Sequence, residues 1–120
     1  RIEQFLIESL VLVPAGARLI TAADPGVGEV LQRSQELADQ GLRNQVPQTR
    51  LMVSLAREMG AVGASSFGAG WGGSVYALVP TDDAEDFASQ WLQAYRDREQ
   101  EAEHSSTIVT RPGTGACRLL

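Results

Sequence analysis

The chain has 120 residues, about one domain, and carries 10 basic against 15 acidic side chains for a formal net charge of −5. That balance argues against nucleic acid or an anionic membrane surface as a partner, since both need a basic footprint. Every basic residue is Arg, and without a lysine a P-loop is excluded.

A hydrophobic share of 43% is ordinary for a globular domain and argues against global disorder. Cys117 is the only cysteine, which rules out an intrachain disulfide and fits a reducing, cytoplasmic setting. The apolar runs read as too short to span a bilayer, and no secretory leader is visible. The first residue is Arg1 rather than Met, so the chain is expected to begin inside a longer one.

In chain order, Ile2, Phe5, Leu6, Leu10 and Val13 follow a helical spacing. No capping residue precedes them, as though the helix had been cut. Pro14 is expected to kink or interrupt it, with a continuation over 15–22. Asp24-Pro25 reads as an N-cap and a first-turn proline. Val27, Val30, Leu31, Leu37 and Ala38 then give the stripe of a second helix ending near Gly41. Asn44 and Pro47 open a third, with Leu51, Met52, Leu55, Ala56 and Met59 on one face and Gly60 as C-cap.

The pattern changes after Gly60. Residues 62–67 are small and read as a closely packed strand; residues 74–79 are apolar and β-favouring, a second strand. Asp82 and Glu85 stand at capping-box spacing before a fourth helix, carried by Ala84, Phe87, Ala88, Trp91, Leu92 and Tyr95 to about Glu101. Residues 106–110 suggest a third strand, and 111–120 a tail or last irregular strand. There is no internal repeat and no low-complexity linker. The β-β-α-β order of the second half predicts an α+β fold, an antiparallel sheet with helices packed on one face, as a single domain over 1–120.

Between the first two strands lies Phe67-Gly68-Ala69-Gly70-Trp71-Gly72-Gly73. Glycines let another backbone or a phosphate approach closely, and loop N–H groups can hold an anion without a lysine. A plain turn is the competing reading, since Gly dominates turns. Four glycines exceed what a tight hairpin needs, and Trp71 is costly in a turn. The run is followed by a strand rather than a helix, which excludes the dinucleotide-binding loop. Gly63-Ala64-Ser65-Ser66 fails as a phosphate loop for the same reason.

Other chemistry is thin. His104 sits among Glu101 and Glu103 without partners for a metal or a triad and reads as a solvated helix end. Asp82, Asp83, Glu85 and Asp86 read as acids complementing a helix N-terminus rather than a metal site. Cys117 has no partner pattern, and Arg111 reads as a surface residue. No catalytic and no metal-binding residue is assigned.

The stretch from Leu42-Arg43-Asn44-Gln45-Val46-Pro47-Gln48-Thr49 through Leu55-Ala56-Arg57 to residues 60–75 resembles the C-terminal region of galactokinases, members of the GHMP small-molecule kinase superfamily. Residues 67–74 resemble that family's third glycine motif. Ser34-Gln35 stands where galactokinases usually carry Ser-His, and Thr110-Arg111-Pro112-Gly113 resembles their closing segment. Gln48-Thr49 replaces a more usual acidic residue, and Trp71 a more usual Phe.

The resemblance implies a ferredoxin-like α+β core and, in the parent, transfer of the ATP γ-phosphate with Mg²⁺ to the anomeric hydroxyl of galactose or a related sugar. It implies that the main nucleotide loop and catalytic Asp lie in an N-terminal kinase domain against which this one packs, so that the chain alone is inactive. Gly68, Ala69, Gly70, Trp71, Gly72 and Gly73 would then line the cofactor-binding cleft. The rival reading is a non-catalytic, ferredoxin-like module whose glycine loop binds a small metabolite or a partner.

Overall fold

The structure, a computed structural model, describes residues 1–100 and 102–113. It begins with α1 (Ile2–Ile7), which passes through a π-helical turn, Glu8–Leu12, into α2 (Val13–Thr21). Pro14 does not stop this helix. A proline ring clashes with the carbonyl one turn back, and the wider π turn just before it makes the room. The Val13 N–H accordingly bonds the Glu8 carbonyl five residues back. The result is one 20-residue helix, Ile2–Thr21, long and apolar enough by length and composition to cross a membrane. That corrects the expectation that the apolar runs are too short.

The chain then turns at Asp24, whose carboxylate accepts the Gly26 N–H at 2.8 Å, an Asx turn that leads into α3 (Val27–Leu37). A second π turn, Ala38–Leu42, ends with Arg43 in the left-handed region at φ +55°. Residues 44–46 follow, and α4 (Pro47–Glu58) starts on its proline, which biases Val46 to the extended conformation it adopts. At the far end the Gly60 N–H bonds the Arg57 carbonyl and the Ala61 N–H bonds that of Ala56, with Gly60 at φ +89°. This is the Schellman arrangement that a glycine C-cap predicts.

Strand β1 (Gly63–Phe67) pairs antiparallel with β2 (Ser74–Leu78), in a register that places Ser65 opposite Tyr76 and Phe67 opposite Ser74. A short 3-10 turn, Thr81–Asp83, precedes α5 (Ala84–Arg96). The expected capping box is not formed, because the 3-10 turn moves the helix start past Asp82; Glu85 and Asp86 lie in the first turn instead. Residues 97–99 leave the helix before the expected end at Glu101. Residues 105–110 form no regular element and pair with no strand, so among the described residues the sheet has two strands. A strand needs a neighbouring strand as well as a β-favouring composition, and among the described residues none pairs with it.

The fold is therefore α+β, with the hairpin followed by a helix as in the middle of a ferredoxin-like unit. Its main core gathers Val53, Leu55 and Ala56 from α4, Ala64 from β1, Trp91 and Tyr95 from α5, and Ala102. Val75 and Ala77 of β2 pack against it, so alternate residues of the hairpin face α4 and α5. The Trp91 indole N–H donates to the Met52 carbonyl at 3.0 Å, which satisfies a polar group the core would otherwise strand. Helix α3 crosses β1 at Gly28 and Gly63, where a side chain on either residue would meet the other segment. That close crossing brings Gln35 of α3 to the end of β1.

Candidate functional site

The glycine run forms one exposed loop joining β1 to β2. Gly68, Gly70, Trp71, Gly72 and Gly73 all have positive φ. A two-residue hairpin would not need such a path, which accounts for the density of glycine. The tightest point is Gly70, at φ +82°: a Cβ there would stand 2.5 Å from both the Asn44 carbonyl oxygen and its side-chain nitrogen. Trp71 follows in the left-handed region at φ +66°, uncommon for a bulky residue and a mark of a conformation held by its surroundings.

What holds it is the segment before α4. The Trp71 N–H donates to the Asn44 carbonyl at 2.6 Å, and the Asn44 side-chain amide donates to the Ala69 carbonyl at 3.2 Å. The loop tip thus rests on Asn44 by two bonds. Its base is held as well: the side-chain Oε1 of Gln35 accepts the Ser66 N–H at 2.9 Å and the hydroxyls of Ser65 and Ser66 at 3.1 Å each. Gln35, Gln45, Thr49 and Ser65 are all buried and mutually bonded, as buried polar groups must be.

Beside the loop, Phe67 and Tyr76 meet with ring centroids 5.9 Å apart in a tilted pair. Burial pushes the Tyr76 phenol up from its usual range, and the Glu8 carboxylate adds to the effect. Glu8 belongs to the first π turn; one of its oxygens accepts the Ser34 hydroxyl at 2.7 Å, and the other is buried without a partner. Trp71 remains 70% exposed, so its indole is not consumed by the domain's own core. Gly68 and Gly73 have nothing within 4 Å of where a side chain would project, which leaves open space along the loop.

The structure therefore places Gly68, Ala69, Gly70, Trp71, Gly72 and Gly73 in one loop held at its base and tip. His104 ends a 3-10 turn, Ala102–His104, and is exposed, as is Arg111. Cys117 lies outside the described residues. Sequence reasoning missed the support: Gln35 and Gln45 were not singled out as site residues. The available signal was Gln35 itself, four residues after Leu31 on the apolar stripe of α3.

Residues 22–97 match the family model described as GHMP kinases C terminal. The galactokinases of two Mycobacterium tuberculosis strains, H37Ra and H37Rv, are 29% identical over 118 residues, which is 98% of this chain and 32% of each of those proteins. The galactokinase of Candida parapsilosis is 32% identical over 95 residues, 75% of this chain and 19% of that protein. The chain thus spans a third or less of the curated relatives it matches.

Proposed function

The chain belongs to the family of GHMP kinase C-terminal domains, and from that premise we propose that it is the C-terminal domain of a cytoplasmic, galactokinase-like sugar kinase. In that reading the parent transfers the ATP γ-phosphate to the anomeric hydroxyl of galactose or a close relative. The single observation that carries it is the docked glycine loop, lying within the segment shared with galactokinases and presenting an open outer face with a free indole.

The contribution of this domain is positional. Phosphoryl transfer depends on holding the reacting groups and stabilising their charge, and a loop fixed at base and tip offers a preformed wall for that purpose. ATP fits the loop as one wall only, since no lysine is present to reach its phosphates. Mg²⁺ in this reading arrives with the nucleotide, held chiefly by its phosphates and by one or two carboxylates of the parent. The N-terminal helix offers a face for that other domain: Ile2, Phe5, Leu10 and Val13 are exposed on it.

The test compares the full-length protein with the 120-residue chain in an ATP-dependent galactose phosphorylation assay. Turnover by the former alone is expected. Robust turnover by the short chain would overturn the division of labour. A full-length protein inert toward sugars, with calorimetry showing tight binding of another metabolite by this chain, would favour the non-catalytic module.

A further inference from the structure

Three side-chain amides connect the base of the glycine loop to its tip. The Ser66 backbone N–H donates to Gln35 Oε1 at 2.9 Å; Gln35 Nε2 donates to Gln45 Oε1 at 3.0 Å; Gln45 Nε2 donates to Asn44 Oδ1 at 3.0 Å; Asn44 Nδ2 donates to the Ala69 carbonyl at 3.2 Å. Every donor points the same way along the chain. The two ends are backbone groups whose polarity is fixed, a donor at Ser66 and an acceptor at Ala69. An amide can rotate to exchange its oxygen and nitrogen, but here a single reversal would set two oxygens or two NH₂ groups face to face.

From this closed circuit we infer that Gln35, Gln45 and Asn44 form a directional amide relay that sets the tip of the glycine loop. Gln35 and Gln45 touch no part of the loop tip and act through Asn44, which makes them positioning residues. Hydrogen bonds aligned head to tail polarise one another, and a buried network of this kind is costly to satisfy in part. The Thr49 hydroxyl, 3.0 Å from Gln45 Oε1, ties the relay to the first turn of α4. The relay's bearing on phosphoryl transfer rests on the function proposed above; its bearing on loop geometry does not.

A carboxylate keeps the shape of an amide and removes its donor. Gln35→Glu retains the acceptor for Ser66 and for both serine hydroxyls but faces Gln45 Oε1 with a second oxygen. Gln45 must then reverse, Asn44 must follow, and the Ala69 carbonyl loses its donor. Asn44→Asp breaks the same relay at its half-exposed end, where the new charge can stay solvated and the domain is expected to fold.

Both variants are compared with the parent in the full-length protein by hydrogen exchange of peptides covering residues 68–74. At neutral pH the loop amides are expected to exchange about tenfold faster, with peptides from α4 and α5 unchanged. On acidification towards about pH 4, after correction for intrinsic rates, the gap should narrow, because a protonated acid regains a donor. A packing defect alone would not recover in this way. Loop exchange that stays at the parent's rate in Asn44→Asp, whether or not Gln35→Glu folds, overturns the relay. So does slowed turnover with unaltered exchange. Faster loop exchange with unaltered galactose phosphorylation upholds the relay and removes the loop from the reaction.

Discussion

The backbone N–H of Trp71 lies 2.6 Å from the carbonyl oxygen of Asn44, and Gly70, immediately before it, leaves no room for a side chain beside the same residue. The loop tip and the residue that supports it are in contact through backbone, where neither can give way cheaply.

Gly70→Val should therefore lift the tip off Asn44. The clash is with a carbonyl oxygen and the side chain the relay holds, and the required φ of +82° is disfavoured for a β-branched residue. The core around Leu55 and Trp91 does not include the loop, so the domain should stay folded, with a loss of about 1–3 kcal/mol from the strained loop backbone. In the full-length protein a misplaced wall of about 1 Å is expected to lower turnover roughly 100-fold. Steady-state kinetics beside a thermal melt check this; unaltered kinetics would reduce the loop to a turn.

Trp71→Gly separates strain from contact. The left-handed conformation costs a non-glycine residue about 1–2 kcal/mol, while glycine adds about 0.5–1 kcal/mol of unfolded-chain entropy. The indole is largely exposed and loses little packing within the domain. The two effects nearly cancel, so stability by urea unfolding should stay within about 1 kcal/mol of the parent. A loss of several kcal/mol would mean that the indole packs on this domain after all.

Legibility in the sequence followed the range of the forces involved. Gly60 and Pro47 act through local backbone geometry, and each does in the structure what its neighbours predicted; the glycine run takes the positive φ values that its composition allows. The π turn before Pro14 depends on a clash one turn away, and a proline in a helical pattern signals only a kink or an interruption. Residues 106–110 have strand composition, but their pairing depends on a neighbour the pattern cannot supply. The relay was the least visible part. Gln35 and Gln45 stand ten residues apart across the π turn after α3, and Gln35 and Ser66 stand 31 apart, brought together by the crossing of α3 over β1.

That crossing gives a case in which propensity and packing oppose each other. Gly28 lies inside α3, and Gly28→Ala in an open helix would stabilise by about 1 kcal/mol. Here the new methyl would run into the Val62 carbonyl oxygen. Overpacking against backbone costs about 1–3 kcal/mol, so the net change should be destabilising. Because the crossing also sets Gln35 against Ser66, loop amides should exchange faster in this variant than the lost stability alone accounts for. A more stable Gly28→Ala protein would show that α3 and β1 separate easily.

Tyr76 supplies a prediction in pH. Its folded value is raised, chiefly by burial and further by the Glu8 carboxylate. An unfolded tyrosine ionises near about pH 10. Around that pH the folded state therefore holds a proton the unfolded state has released. The stabilisation is fully present below the unfolded value and is lost as pH rises through the folded one. Tyr76→Phe has no phenol to ionise and should lack this alkaline loss. The difference in unfolding free energy between parent and variant is expected to be flat from about pH 7 to 9 and to turn against the parent above about pH 10. Glu8→Gln should weaken the alkaline loss in the parent without abolishing it, because burial, the larger cause, remains. Parallel stability curves for parent and Tyr76→Phe through that range would mean that the phenol is solvated.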